Sequence, residues 1–160
     1  MTTVRAVTEA DLPSLLALLE AKAEFDGMRT TLRATLDNLR AELFATSPSA
    51  KAIVAVESGV VVGMATYYAT FSSFIMKPGI WLDDLYVYES HRGKGIGRLL
   101  IKWLCELAER SGWGRIDWVV AATNEKGRDF YSRLGATIFE SVRLARLEGR
   151  AIRALAHEDG

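Results

Sequence analysis

A chain of 160 residues, 49% of them hydrophobic, has the length and apolar content for one domain, 1–160, with a sizeable core. Its 20 Lys and Arg balance 20 Asp and Glu, so no global field draws it to nucleic acid or to a membrane surface, and any phosphate affinity must be local. Cys105 is the only cysteine, which excludes an intramolecular disulfide and a four-cysteine zinc site, and His91 and His157 are far apart, so no metal is expected.

The opening MTTVRAVTEADL lacks the apolar core of a signal peptide, and no stretch stays apolar for the ~18 residues a membrane helix needs. A cytoplasmic location is therefore expected. Thr2 to Val7 reads as a short strand, followed by helix-start chemistry at Thr8, Glu9 and Asp11 and by Pro13 in a first turn. Leu12, Leu15, Leu16 and Leu19 form one apolar face, and Gly27 marks the end or a bend of that helix. A second amphipathic helix, capped by Thr30 or Thr31, carries Leu32, Leu36, Leu39 and Leu43 before Ser47, Pro48 and Ser49 interrupt it.

From Lys51 the period shortens. AIVAVE and VVVGMATYYATF flank Ser58-Gly59 as a hairpin, and Ser72 to Gly79 is a loop leading into a strand from Trp81 to Tyr88. Ile96, Leu99, Leu100, Trp103, Leu104 and Leu107 recur with helical spacing to about Ser111, where Gly112 and Gly114 stop the helix. Arg115 to Ala121 reads as a fifth strand and Asn124 to Leu134 as a short helix. Ala136 to Leu147 and Arg150 to Ala156 alternate as a closing hairpin. The order predicts an α/β fold, a mixed and mostly antiparallel sheet flanked by helices.

Trp81 to Leu100 joins a strand, a glycine-rich loop and a helix start. Gly93, Gly95 and Gly97 allow close backbone approach, so the unpaired N–H groups of the helix's first turn can face a phosphate, with Arg92, Lys94 and Arg98 adding charge. The glycines fall at offsets zero, two and four, which fails the dinucleotide fingerprint, and no Lys-Ser or Lys-Thr follows as a P-loop requires.

Arg92, Gly95 and Gly97 do fit R-x-x-G-x-G, and downstream Asn124-Glu125, Phe130-Tyr131 and Gly135-Ala136 fit N-E-x-x-x-x-F-Y-x-x-x-G-A. In both motifs the chain resembles the GCN5-related N-acetyltransferase (GNAT) superfamily. Through GMATYYATF and WLDDLYV it resembles, more narrowly, the diamine (spermidine/spermine and thialysine) acetyltransferases. The resemblance implies acetyl-CoA as cosubstrate, held by Arg92, Gly93, Lys94, Gly95, Ile96, Gly97 and Arg98 at the pyrophosphate and by backbone groups of Leu85, Tyr86 and Val87 where the central strand splays from its neighbour. It also implies a small-molecule amine as acceptor and a homodimer.

By the same resemblance Tyr131 is the general acid for the departing thiolate and, with Asn124, a cofactor contact; packing for Tyr131 and helix capping for Asn124 are the bland alternatives. Asp83 maps onto the glutamate that takes the amine proton in the diamine enzymes. On a regular strand Asp83 and Asp84 face opposite sides, so only one of these two candidate substrate contacts can face the acceptor. Glu24 and Asp26 fall where those enzymes bind a distant ammonium, or are solvated surface charges. Two further functions stay open: a non-catalytic acyl-CoA sensor, which has no use for Tyr131, and an acetyltransferase of protein N-termini or lysines, which needs an open groove.

Overall fold

The computed structural model describes residues 1–158, so the last two positions of the expected 1–160 domain lie outside the described residues. These fall into two compact units, Met1–Val119 and the stretch from Val120 onward.

In the first unit, β1 (Thr2–Ala6) leads through a single 3-10 turn into α1 (Leu12–Phe25), with Pro13 in its first turn. Gly27, at φ 67°, closes α1, and Met28 N–H donates back to the Ala23 carbonyl. The second helix, α2, spans Leu36–Leu43 and starts later than the sequence suggested. Thr30 and Thr31 belong to a separate 3-10 turn. Thr35 caps α2 instead, because Asn38 N–H donates to its Oγ1 and Asn38 Oδ1 accepts from its N–H, a reciprocal arrangement neither earlier threonine makes.

The hairpin forms as expected. Ser58 and Gly59 are both left-handed, at φ 51° and 80°, and join β2 (Lys51–Glu57) to β3 (Val60–Ser72) with the twist that antiparallel neighbours need. β4 (Lys77–Val87) follows a short turn, α3 (Ile96–Arg110) follows the glycine loop, and β5 is only Ile116–Asp117, not the longer strand to Ala121. The sheet order is β1-β2-β3-β4-β5, antiparallel throughout except for the parallel β4–β5 pair.

Apolar burial on both faces fixes this sheet. Leu12, Leu15 and Leu18 of α1 pack on Ala52 and Met64, joined by Leu39 and Leu43 of α2. Ile96, Leu100, Ile101, Leu104 and Ala108 are the buried side of α3, and Trp103 meets the buried Tyr67 of β3. Cys105 is exposed on α3.

In the second unit α4 (Glu125–Arg133) forms where expected, but the closing hairpin does not. Residues 137–149 form no strand, and Arg150–Ala156 is a helix, α5. An isolated two-stranded hairpin is marginal in water. RAIRALA is rich in Ala, Leu and Arg, so helix propensity prevails over its weak alternation. Among the described residues no helix is long and apolar enough to cross a membrane.

Candidate active site

The glycine loop has the backbone of an anion cradle. Gly93 and Gly95 are left-handed, at φ 77° and 79°, and a Cβ at either would meet only open space. Gly95 is the N-cap of α3 and no side chain caps the helix, so the first-turn amides of Ile96, Gly97 and Arg98 lack an intrahelical partner. The three cations differ in what they do. Arg92 Nε donates to the Val87 carbonyl at 3.0 Å, and its guanidinium lies 4.9 Å from the Phe25 ring and 5.2 Å from that of Tyr86. Lys94 Nζ reaches Glu57 at 3.5 Å, while Arg98 is exposed in the first turn.

Tyr88 N–H donates to the Val62 carbonyl at 3.1 Å, which sets the phase of the β3–β4 ladder. Bonded and non-bonded pairs alternate between antiparallel strands, so Met64–Tyr86 is a bonded pair. The backbone groups of Leu85 and Val87 therefore point to the other edge of β4, while those of Tyr86 turn to β3. On that other edge β5 pairs only with Ile80 and Trp81. Of the three residues named for the cofactor arm, two present their amides to the edge of β4 beyond its pairing with β5, and Tyr86 contributes a ring beside Phe25, 6.1 Å between centroids.

A bulge decides the geometry of the two aspartates. Thr66 is opposite Asp84 and Tyr67 is opposite Leu82, which leaves Asp83 as the extra residue on β4. The regular alternation that would put Asp83 and Asp84 on opposite faces does not hold through it. Asp83 is exposed, and its charge adds to the burial that raises the Tyr68 phenol. Asp84 is half-buried, accepts from Thr66 Oγ1 at 2.9 Å and lies 3.4 Å from Lys22 Nζ of α1.

Lys22 is the residue that sequence reasoning missed. It bonds Asp26, one turn on, and pairs with Asp84 of β4. Burial by itself would lower the ammonium, but its hydrogen bond to Asp26 and the charge of Asp84 outweigh it, and the pKa is raised. The one available signal was the Lys22–Asp26 spacing of four on a helix. Lys22, Asp26 and Asp84 line a cleft of about 260 Å³ with Arg33 and Leu19. Glu24 is exposed on α1 and does not line it.

In the second unit Asn124 is the N-cap of α4, its Oδ1 accepting from Gly127 N–H at 3.0 Å. Tyr131 is half-buried on α4, 5.2 Å from the Phe130 ring, and its carbonyl accepts from the amides of Leu134 and Ala136.

A sequence model of the acetyltransferase (GNAT) family matches residues 14–136, which takes in the glycine loop and both downstream motif residues, Asn124 and Tyr131. The chain belongs to the GNAT family. Acetyl-CoA is the acetyl donor that GNAT enzymes use, and the uncapped, glycine-opened start of α3 fits its phosphates. This GNAT chain is 31% identical to the thialysine N-epsilon-acetyltransferase of Bos taurus over 164 aligned positions, covering 96% of each chain. It is 35% identical to the L-ornithine N5-acetyltransferase NATA1 of Arabidopsis thaliana over 96 positions, 60% of this chain and 42% of that one, so it corresponds to less than half of the plant enzyme. Among solved structures, an integron cassette protein from the mobile metagenome of V. cholerae superposes with a TM-score of 0.78 at 28% identity, covering 98% of both chains.

Proposed function

We propose that the chain works as a single N-acetyltransferase domain, moving an acetyl group from acetyl-CoA to a primary amine of a small molecule by direct attack in a ternary complex. The acceptor class is a polyamine or a lysine-like amino acid. The observation that carries this reading is the helix start at Gly95, uncapped and preceded by left-handed Gly93, in a chain whose family uses acetyl-CoA. The acceptor class draws support from the names of two relatives, which act on thialysine and on ornithine.

When bound, acetyl-CoA supplies the acetyl group and carries off the sulfur. The protein's tasks are to hold phosphate, to orient the thioester carbonyl, to receive a proton from the attacking amine and to deliver one to the departing sulfur. Amides of the first turn of α3 take the phosphates, aided by the helix dipole and by Arg98. The edge amides of Leu85 and Val87 hold the cofactor arm. Asp83, exposed at the bulge, receives the amine proton directly or through water. Tyr131 donates from Oη, since a phenol with a reference pKa of ~10 can protonate a thiolate and recover its proton from solvent. Asn124 braces α4 by capping it, and its Nδ2 remains to meet the cofactor.

Tyr131→Phe keeps the ring and removes the proton. Turnover should fall about 10²-fold, the usual scale for a general acid, with acetyl-CoA affinity unchanged by calorimetry. Turnover equal to wild type across the pH range overturns the assignment. The acetyltransferase is further proposed to be a cytoplasmic homodimer, which cell fractionation and sedimentation velocity measure.

A further inference from the structure

The cleft beside α1 is not the acidic trough that a bare polyamine would need. Its two carboxylates, Asp26 and Asp84, are both engaged by the ammonium of Lys22, and Asp84 is held a second time by Thr66. Arg33 completes the lining. The guanidinium is fixed by its own turn: Nη1 donates to the carbonyls of Thr30 at 2.6 Å and Leu32 at 3.1 Å. Among the described residues it has no carboxylate partner, so Nε and Nη2 remain for an anion. Two carboxylates set against Lys22 and Arg33 leave the cleft without net charge. A diamine with two ammonium groups gains little from such a site. A molecule with its own carboxylate beside an ammonium matches it group for group, because the carboxylate takes the free side of Arg33 and the ammonium shares Asp26 and Asp84 with Lys22. At about 260 Å³ the space suits a small acceptor.

We propose that Lys22 and Arg33 make this cleft a selector for α,ω-diamino acids over the diamines that lack the carboxylate. The proposal rests on the reading of the chain as a small-amine acetyltransferase and names which of its two acceptor classes the cleft takes. Lys22 acts as a built-in counter-ion that spends the acidic pair, and Arg33 recognises the carboxylate. The ω-amine is the one left to be acetylated.

The test compares ornithine and lysine with their decarboxylated counterparts, putrescine and cadaverine, by CoA release and in parallel by calorimetric binding. The amino acids should exceed the diamines by about tenfold or more in kcat/KM, the scale of one charge-assisted contact. Arg33→Gln, on an exposed turn, should remove most of that preference through KM. Lys22→Met should shift preference toward the diamines by freeing Asp26 and Asp84. Diamines matching or exceeding their amino acids in the wild type overturn the proposal, as does an Arg33→Gln variant that keeps the preference. Selective binding of the amino acids without turnover upholds the cleft and overturns the enzymatic reading. Neither binding nor turnover with any of the four overturns both.

Discussion

Arg92 shows how one side chain ties the cofactor loop to the acceptor side. It opens the R-x-x-G-x-G motif, yet its guanidinium is committed to the Val87 carbonyl and to the faces of Phe25 and Tyr86. Phe25 is the last residue of α1, the helix that carries Lys22, so the contact spans from the loop to the wall of the cleft. Only a planar guanidinium can cover two rings while pointing Nε at a carbonyl. Arg92→Lys should therefore lower stability by about 1–2 kcal/mol, the scale of a charged hydrogen bond plus exposed cation–π contact, and should weaken acetyl-CoA binding as well. Urea unfolding and calorimetry read the two effects. A lysine variant with wild-type stability would show that the ring contacts contribute nothing.

At the scale of elements, the entry to α1 is held by charge. Asp11 is buried and receives both Nη groups of Arg5, at 2.6 and 2.9 Å, together with the amide and hydroxyl of Thr8 at 2.8 and 2.7 Å. The Arg5 guanidinium, and then the Thr8 donors, outweigh burial and hold the Asp11 carboxyl far below its usual range. A depressed folded pKa stabilises above the unfolded value of ~3.9 and is lost as pH falls from there toward the folded value. Asp11→Asn should therefore unfold at lower urea than wild type at pH 6, with the gap narrowing at pH 3. A gap that is constant with pH would assign the loss to packing.

Some of this was legible in the residues and some was not, for physical reasons that differ by element. The hairpin at Ser58-Gly59 and the amphipathic α3 follow from local chemistry and period, and the glycine loop announces itself by spacing. The bulge at Asp83 leaves no local mark, because it arises from a register slip between β3 and β4. Lys22 carries no local mark beyond its spacing from Asp26, because its second partner, Asp84, comes from a strand some sixty positions away. α5 was misread because the alternation of 150–156 is weak and its helix propensity strong.

Over the whole molecule, protection is uneven. Met1–Val119 contains the described strands and the residues that are fully buried, whereas the second unit has two short helices around 137–149, a stretch with neither helix nor strand. Within that stretch Phe139, Val142, Leu144 and Leu147 are each at least 59% exposed, so little apolar burial opposes its local opening. Proteases cut where about ten residues can open without unfolding the rest, and the loops of the first unit are shorter or tied by turns such as the one that anchors Arg33. Trypsin should cut first after Arg143 or Arg146, leaving an amino-terminal product that retains α4 and binds acetyl-CoA. Mass spectrometry of the earliest product measures this. A first cut inside Met1–Val119 would mean that the sheet unit opens more readily than the exposed stretch, contrary to the burial of its core.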